Sequence, residues 1–157
     1  LDLSQCIGRG TGLDDQGLAH KQAVLSATLN RHRQAQSPLE ALRCLGGLEI
    51  ATMTGTIIAA AEQNRVVVVD GFISTAAVAV AVAMEPDVLQ SCVFAHCSAE
   101  SGHERWLACL GAEPLLNLGL RLGEGSGAAM AWPLLDSATR LLREMASFET
   151  ARVSTRD

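Results

Sequence analysis

A chain of 157 residues, 48% of them apolar, is long enough to bury a core as one domain, yet no apolar run approaches the ~20 residues that span a bilayer. The formal net charge of −5, with scattered arginines and Lys21 as the only lysine, argues against a general nucleic-acid binder. Five widely spaced cysteines without a C-x-x-C pair suggest neither a zinc site nor a disulfide framework, and buried free thiols are expected.

The first residues, Leu1 to Gln5, lack the basic start and apolar core of a secretory signal, so a cytoplasmic protein with no membrane segment is expected. Ile7-Gly8-Arg9-Gly10-Thr11-Gly12 then forms a loop, followed by a helical pattern from about Leu13 to Gln34. Asp14 and Asp15 fall in its first turn, where they favour the helix dipole. Leu18, Leu25 and Leu29 keep helical spacing, and Gln22 interrupts the stripe.

Ser37-Pro38-Leu39-Glu40 is a capping-box pattern with proline at the first helical position. It predicts a short helix that stops at Gly46-Gly47, and an apolar helix from about Leu48 to Gln63 follows. Val66-Val67-Val68-Val69 has no polar alternation, as in a central strand buried on both faces. It runs into a loop, Asp70-Gly71-Phe72-Ile73-Ser74-Thr75, and a helix of small residues to Met84.

The same order recurs twice. A strand Cys92–Ala95 leads to a polar loop His96–His103 and a helix to Leu110. A third strand is expected at Leu115–Leu122, before Gly123-Glu124-Gly125-Ser126-Gly127 and a long helix from about Ala128 to Phe148. Pro133 either kinks that helix or marks its true start, and Thr150 to Asp157 read as a frayed tail. Strand, loop and helix in this order predict an α/β fold with a mostly parallel sheet, flanking helices and a long C-terminal helix. Ligands bind such sheets beyond the carboxyl ends of the strands.

The pentapeptide at 123–127 is the most informative cluster. Its glycines admit a ligand to the backbone, and the amides opening the next helix suit a phosphate. Glu124 among them is at odds with a pure phosphate cradle, and suits accepting a proton or binding an N–H; it could equally be a helix-start glutamate stabilised by the dipole. Gly8 to Gly12 follows no convincing strand and is read as a tight turn able to meet an anion, while Lys21 on the next helix reads by itself as solvated. His96, Ser98, Glu100 and His103 lack the i, i+4 spacing of a helical zinc site. Ser98 could cap a helix or bind phosphate, and Asp70 could bind a ligand or merely end a strand.

GRGTGLDDQGLAHK, LGGLEIATMTG, VVVDGFISTAAV, HCSAESGH and LGLRLGEGSGAAMAWPLL, spread over most of the chain, together resemble the nicotinate-nucleotide:dimethylbenzimidazole phosphoribosyltransferase family. The resemblance implies a Rossmann-like sheet and displacement of nicotinate from nicotinate mononucleotide by 5,6-dimethylbenzimidazole, with neither metal nor cofactor. It places the catalytic base at Glu124. It implies substrate binding by Lys21, Asp70, Gly71, Phe72, Ser98, Leu122, Gly123, Gly125, Ser126 and Gly127, with weaker roles for Gly10, Thr11, Gly12 and His96. A homodimer is the implied assembly.

Members of that family are longer at the N-terminal side, where a nucleotide-holding loop and much of the base pocket lie. Residues 1–157 are therefore expected to be the C-terminal part of the transferase domain, incomplete relative to the family fold and inactive alone. The segment from about 128 to 149 is expected to contribute to a small helical subdomain. Two other readings stay open on the residues alone: a nucleotide- or base-binding module without turnover, and a ribosyl hydrolase using water.

Overall fold

The computed structural model describes residues 3–10, 12–147 and 150–151. The expected Thr11 contact lies outside the described residues, as does most of the tail, and the last helix ends at Glu144, short of the expected Phe148. The chain opens with a short helix α1 (Leu3–Cys6), then α2 (Asp15–Arg31), α3 (Pro38–Leu45) and α4 (Leu48–Glu62).

Local chemistry sets these boundaries. Asp14 is the N-cap of α2 rather than part of its first turn, and its carboxylate accepts the Gly17 amide at 2.8 Å. At α3 the Glu40 amide donates to Ser37 Oγ at 3.3 Å and the Ser37 amide donates to the Glu40 carboxylate at 3.2 Å, the reciprocal pair the sequence predicts. Asn64 closes α4 in a left-handed conformation, φ 54°, and the Arg65 amide reaches back to the Ala60 carbonyl.

Strand β1 (Val67–Val69) leads to α5 (Phe72–Met84), a 3-10 helix (Pro86–Ser91) and β2 (Cys92–Phe94). The two strands pair in parallel with Val68 opposite Val93. Next come α6 (His103–Leu110) and α7 (Ser126–Glu144). Beneath the strand ends, Ile57, Val69, Ala77, Val78, Ala81, Val88, Phe94 and Leu107 form the core. The alanines of α5 let α4 lie close against it. Thr54 of α4 is buried there with its hydroxyl bonded to the Ile50 carbonyl at 2.8 Å, so its polar group is satisfied.

The α/β order and parallel pairing are as expected, but the sheet is smaller. Leu115–Leu122 is not a strand; it touches the sheet through one parallel bridge, His96 with Leu116. Consecutive amides of Leu115 and Leu116 both donate toward the β2 side, to the Phe94 and Ala95 carbonyls. Gly119 then turns left-handed at φ 65°, and a regular ladder cannot continue through such a break. Val66 is 68% exposed, and β1 pairs only with β2 among the described residues, so the valine run is not buried on both faces.

Three further expectations change. Helix α5 begins at Phe72, so only Asp70 and Gly71 are left as the turn. Pro133 lies inside α7, which starts well before it at Ser126. The cysteines are free but not deeply buried: Cys6, Cys44, Cys92 and Cys97 are half-buried and Cys109 is exposed, because they sit at the margins of the core rather than within it. Burial pushes the Cys92 thiol up, and Cys97 likewise, with Glu104 adding to the rise. Among the described residues no helix is long and apolar enough to cross a membrane.

Candidate functional site

Four segments meet around a cleft of about 890 Å³ beyond the carboxyl ends of β1 and β2. Arg9, Gly10, Gly12 and Lys21 line it from the first loop and α2. Asp70, Gly71, Phe72, Ile73 and Ser74 come from the β1–α5 junction, and His96, Ser98 and Glu100 from the loop after β2. Arg121, Gly123 and Glu124 close it from the segment before α7. A strand run that ends in a glycine turn brings such loops to one face of the sheet, which is where α/β proteins hold ligands.

The segment before α7 is unusual in its backbone. Gly123, Glu124 and Gly125 adopt consecutive left-handed conformations with φ of 79°, 57° and 79°. For glycine this is free of strain; for Glu124 it opposes side-chain sterics by about 1–2 kcal/mol. The chain accepts it because the turn closes: the Ser126 amide donates to the Gly123 carbonyl at 3.0 Å. Glu124 is thereby exposed at the lip of the cleft.

Arg9, Lys21 and Arg121 line this space together with the carboxylates of Asp70, Glu100 and Glu124. Lys21 Nζ donates to the Gly8 carbonyl at 3.0 Å, and Arg121 donates to the Gly10 carbonyl, so the glycine loop is held from both sides. Arg121 also lies 3.4 Å from the Glu100 carboxylate. Arg9 pairs with Asp15. Asp70 turns one oxygen to the Ala128 amide of α7 at 2.8 Å.

Of the two histidines, His96 lines the cleft and His103 lies behind it. His103 is fully buried; its Nδ1 accepts the Ser98 amide at 2.8 Å and its Nε2 lies 2.9 Å from Thr75 Oγ1. Burial, reinforced by the neighbouring His96 and opposed by Asp70, lowers its pKa to about 4. The His96 ring, 4% exposed, is wedged against Gly71 and Gly127. A Cβ on Gly127 would come within 1.9 Å of its Cδ2. His96 Nδ1 and Ser126 Oγ are buried without a hydrogen-bond partner among the described residues.

Of the residues singled out in the sequence, Lys21, Asp70, Gly71, Phe72, Ser98, Gly123, Glu124, Gly10, Gly12 and His96 line the cleft. Leu122 does not, and it is 79% exposed. Gly125, Ser126 and Gly127 stand behind the lip, where Gly127 makes room for His96. Ser98 does not cap α6, whose N-cap is Gly102; its Oγ accepts the Glu100 amide at 3.2 Å instead. Sequence reasoning gave no role to Arg9 and Arg121. Their only signal was position: Arg9 lies between Gly8 and Gly10, and Arg121 lies two residues before Gly123.

Comparison with known proteins shows the family. A family model described as Phosphoribosyltransferase matches residues 1–153. The chain is 60% identical over 157 residues to the nicotinate-nucleotide–dimethylbenzimidazole phosphoribosyltransferase of Variovorax paradoxus, matching 100% of this chain and 45% of that protein. The protein of the same name from Cupriavidus taiwanensis is 59% identical over 155 residues, 99% of this chain and 45% of its own length. The crystal structure of CobT from Thermus thermophilus superposes with a TM-score of 0.91 at 38% identity, covering 99% of this chain and 46% of that one. The chain thus spans about 45% of the length of the curated relatives it matches.

Proposed function

The chain belongs to the phosphoribosyltransferase family, and from that premise we propose that it carries the Glu124 side of a site that transfers the phosphoribosyl group of nicotinate mononucleotide to 5,6-dimethylbenzimidazole. The products are nicotinate and the α-riboside 5′-phosphate used in assembling the nucleotide loop of cobalamin. The names of the two relatives support the substrates. The observation that carries the reading is Glu124, held left-handed between two glycines at the lip of a cleft whose walls bear Lys21, Arg9 and Arg121.

Nicotinate leaves from a cationic pyridinium, so its departure needs no acid. The C–N bond to nicotinate breaks as one benzimidazole nitrogen bonds to the anomeric carbon from the opposite face, which turns a β into an α linkage. The other nitrogen's N–H becomes acidic, and the Glu124 carboxylate accepts that proton. A well-placed base of this kind contributes roughly 10²–10⁴-fold.

Lys21, Ser98 and the Gly123 backbone bind the 5′-phosphate, with Gly71 and Phe72 nearby. To do so Lys21 exchanges the neutral Gly8 carbonyl it now contacts for an anion, and charge favours the exchange. The complete reaction, a cytoplasmic setting and homodimeric assembly are proposed for a chain of the relatives' full length.

The test is riboside phosphate formation from the two substrates, followed by chromatography, in a chain of the relatives' full length that carries residues 1–157. The product is expected to form, and Glu124→Gln to lose about 10²-fold or more in rate while still binding the base. Base binding without product would replace the transferase with a binding module, and free ribose phosphate would indicate a hydrolase. A Glu124→Gln variant as fast as the parent would remove Glu124 from the mechanism.

A further inference from the structure

Helix α7 has no cap of its own. Its N-cap residue is Gly125, left-handed and without a side chain, and Ser126 Oγ makes no hydrogen bond among the described residues. The amides of the first helical turn have no partners within the helix and need acceptors from elsewhere. One acceptor comes from across the fold, where Asp70 Oδ1 takes the Ala128 amide at 2.8 Å from 58 positions away.

Asp70 is well placed for this. It follows Val69, the deeply buried end of β1, so the carboxylate is mounted on the sheet. The negative charge also lies at the positive end of a 19-residue helix. Immediately beneath, the His96 ring fills the space that Gly127 leaves open. Two side chains from two strand ends thus grip consecutive residues, Gly127 and Ala128, just behind the Gly123–Gly125 turn. The Leu120 carbonyl, accepting the Ala99 amide, and Arg121 hold the chain that enters this turn; Asp70 and His96 hold the helix that leaves it, and it is the turn that presents Glu124.

We propose that Asp70 is a positioning residue, capping α7 from the end of β1 and so indexing Glu124 to the cleft, rather than a group that binds the ribosyl substrate. The inference rests on the role given to Glu124 above. It predicts that what matters at position 70 is an acceptor oxygen of the right reach. Asparagine supplies one and alanine does not.

The experiment compares Asp70→Ala and Asp70→Asn in a chain of the relatives' full length, reading kcat, KM for nicotinate mononucleotide, and hydrogen exchange of a peptide spanning 123–131. Asp70→Ala is expected to lower kcat by about 10²-fold, as a displaced base does, with KM shifted by no more than about threefold. Exchange at the start of α7 should accelerate by about tenfold, the scale of a lost cap. Asp70→Asn should keep normal exchange and hold kcat within about threefold of the parent.

Either of two results overturns the proposal: a KM raised by about tenfold or more with normal exchange, which marks a substrate ligand, or an asparagine variant as impaired as alanine. If Asp70→Ala does not fold, Asp70→Asn decides alone, retained protection and rate supporting the cap and loss of both refuting it. If the parent chain forms no riboside phosphate, the transferase reading has failed. The exchange measurement then decides the cap separately, and unchanged exchange in Asp70→Ala refutes it.

Discussion

Thr75 Oγ1 and His103 Nε2 lie 2.9 Å apart in the interior, and neither residue exposes any surface. Because His103 Nδ1 accepts the Ser98 amide, the neutral ring carries its proton on Nε2 and donates it to the threonine. One side chain therefore joins α5, α6 and the loop that brings Ser98 to the cleft. Protonating Nδ1 would set two donors against each other.

This arrangement makes stability depend on pH. The folded pKa of His103 is lowered from 6.5 to about 4, so the unfolded chain binds more protons between those values. Its contribution is fully present above pH 6.5 and is lost as pH falls toward 4. Between pH 7 and pH 5 the loss should be roughly 2 kcal/mol. Denaturant melts across this range should show that slope, and His103→Gln should flatten it. A parent chain equally stable at pH 7 and pH 5 would refute the assignment.

Gly127→Ala should be among the most damaging small changes in the chain. The added methyl would meet the His96 ring at 1.9 Å, and His96 is too buried to swing away. Overpacking of this kind costs about 1–3 kcal/mol. The double variant with His96→Ala should recover part of the melting temperature, and strict additivity of the two losses would argue against the contact.

Glu124 should be a site where function and stability separate. Glu124→Gly removes the left-handed strain of about 1–2 kcal/mol, set against about 0.5–1 kcal/mol of added backbone freedom in the unfolded chain. Its melting temperature should therefore be no lower than the parent's, while transferase activity is lost. Glu124→Ala keeps the strain and should be no more stable than the parent. A clearly destabilised glycine variant would show that the side chain holds the turn.

Lys21→Met tests the proposed phosphate contact. Loss of a charge-assisted hydrogen bond, about 1.5–3 kcal/mol, should raise KM for nicotinate mononucleotide by roughly 10–100-fold. Were the lysine only a latch on the Gly8 carbonyl, KM would stay near the parent value and the loop at 8–12 would instead become sensitive to protease.

Much of the local structure was legible from the residues. The capping box at Ser37 and Glu40, the stop at Gly46, and the strand starts near Val67 and Cys92 all depend on neighbours within a few positions. The five resembling segments also pointed to the family, and all lie within the 1–153 match. Where the reading erred, the cause was non-local. Leu115–Leu122 has the apolar content of a strand, but Gly119 and its irregular pairing with the segment after β2 prevent one.

The residue types therefore determined the longer helices, the order of the elements and the glycine-bearing loops after β1, after β2 and before α7, because capping, periodicity and turn chemistry act over short chain distances. Only the tertiary structure decided that Arg9 and Arg121 reach the cleft, that Asp70 bonds to Ala128, that His103 bonds to Thr75, and that Gly127 exists to admit His96. Each of these joins residues from separate elements. Periodicity states which face of an element is apolar, but packing chooses what that face, or the loop beside it, will meet.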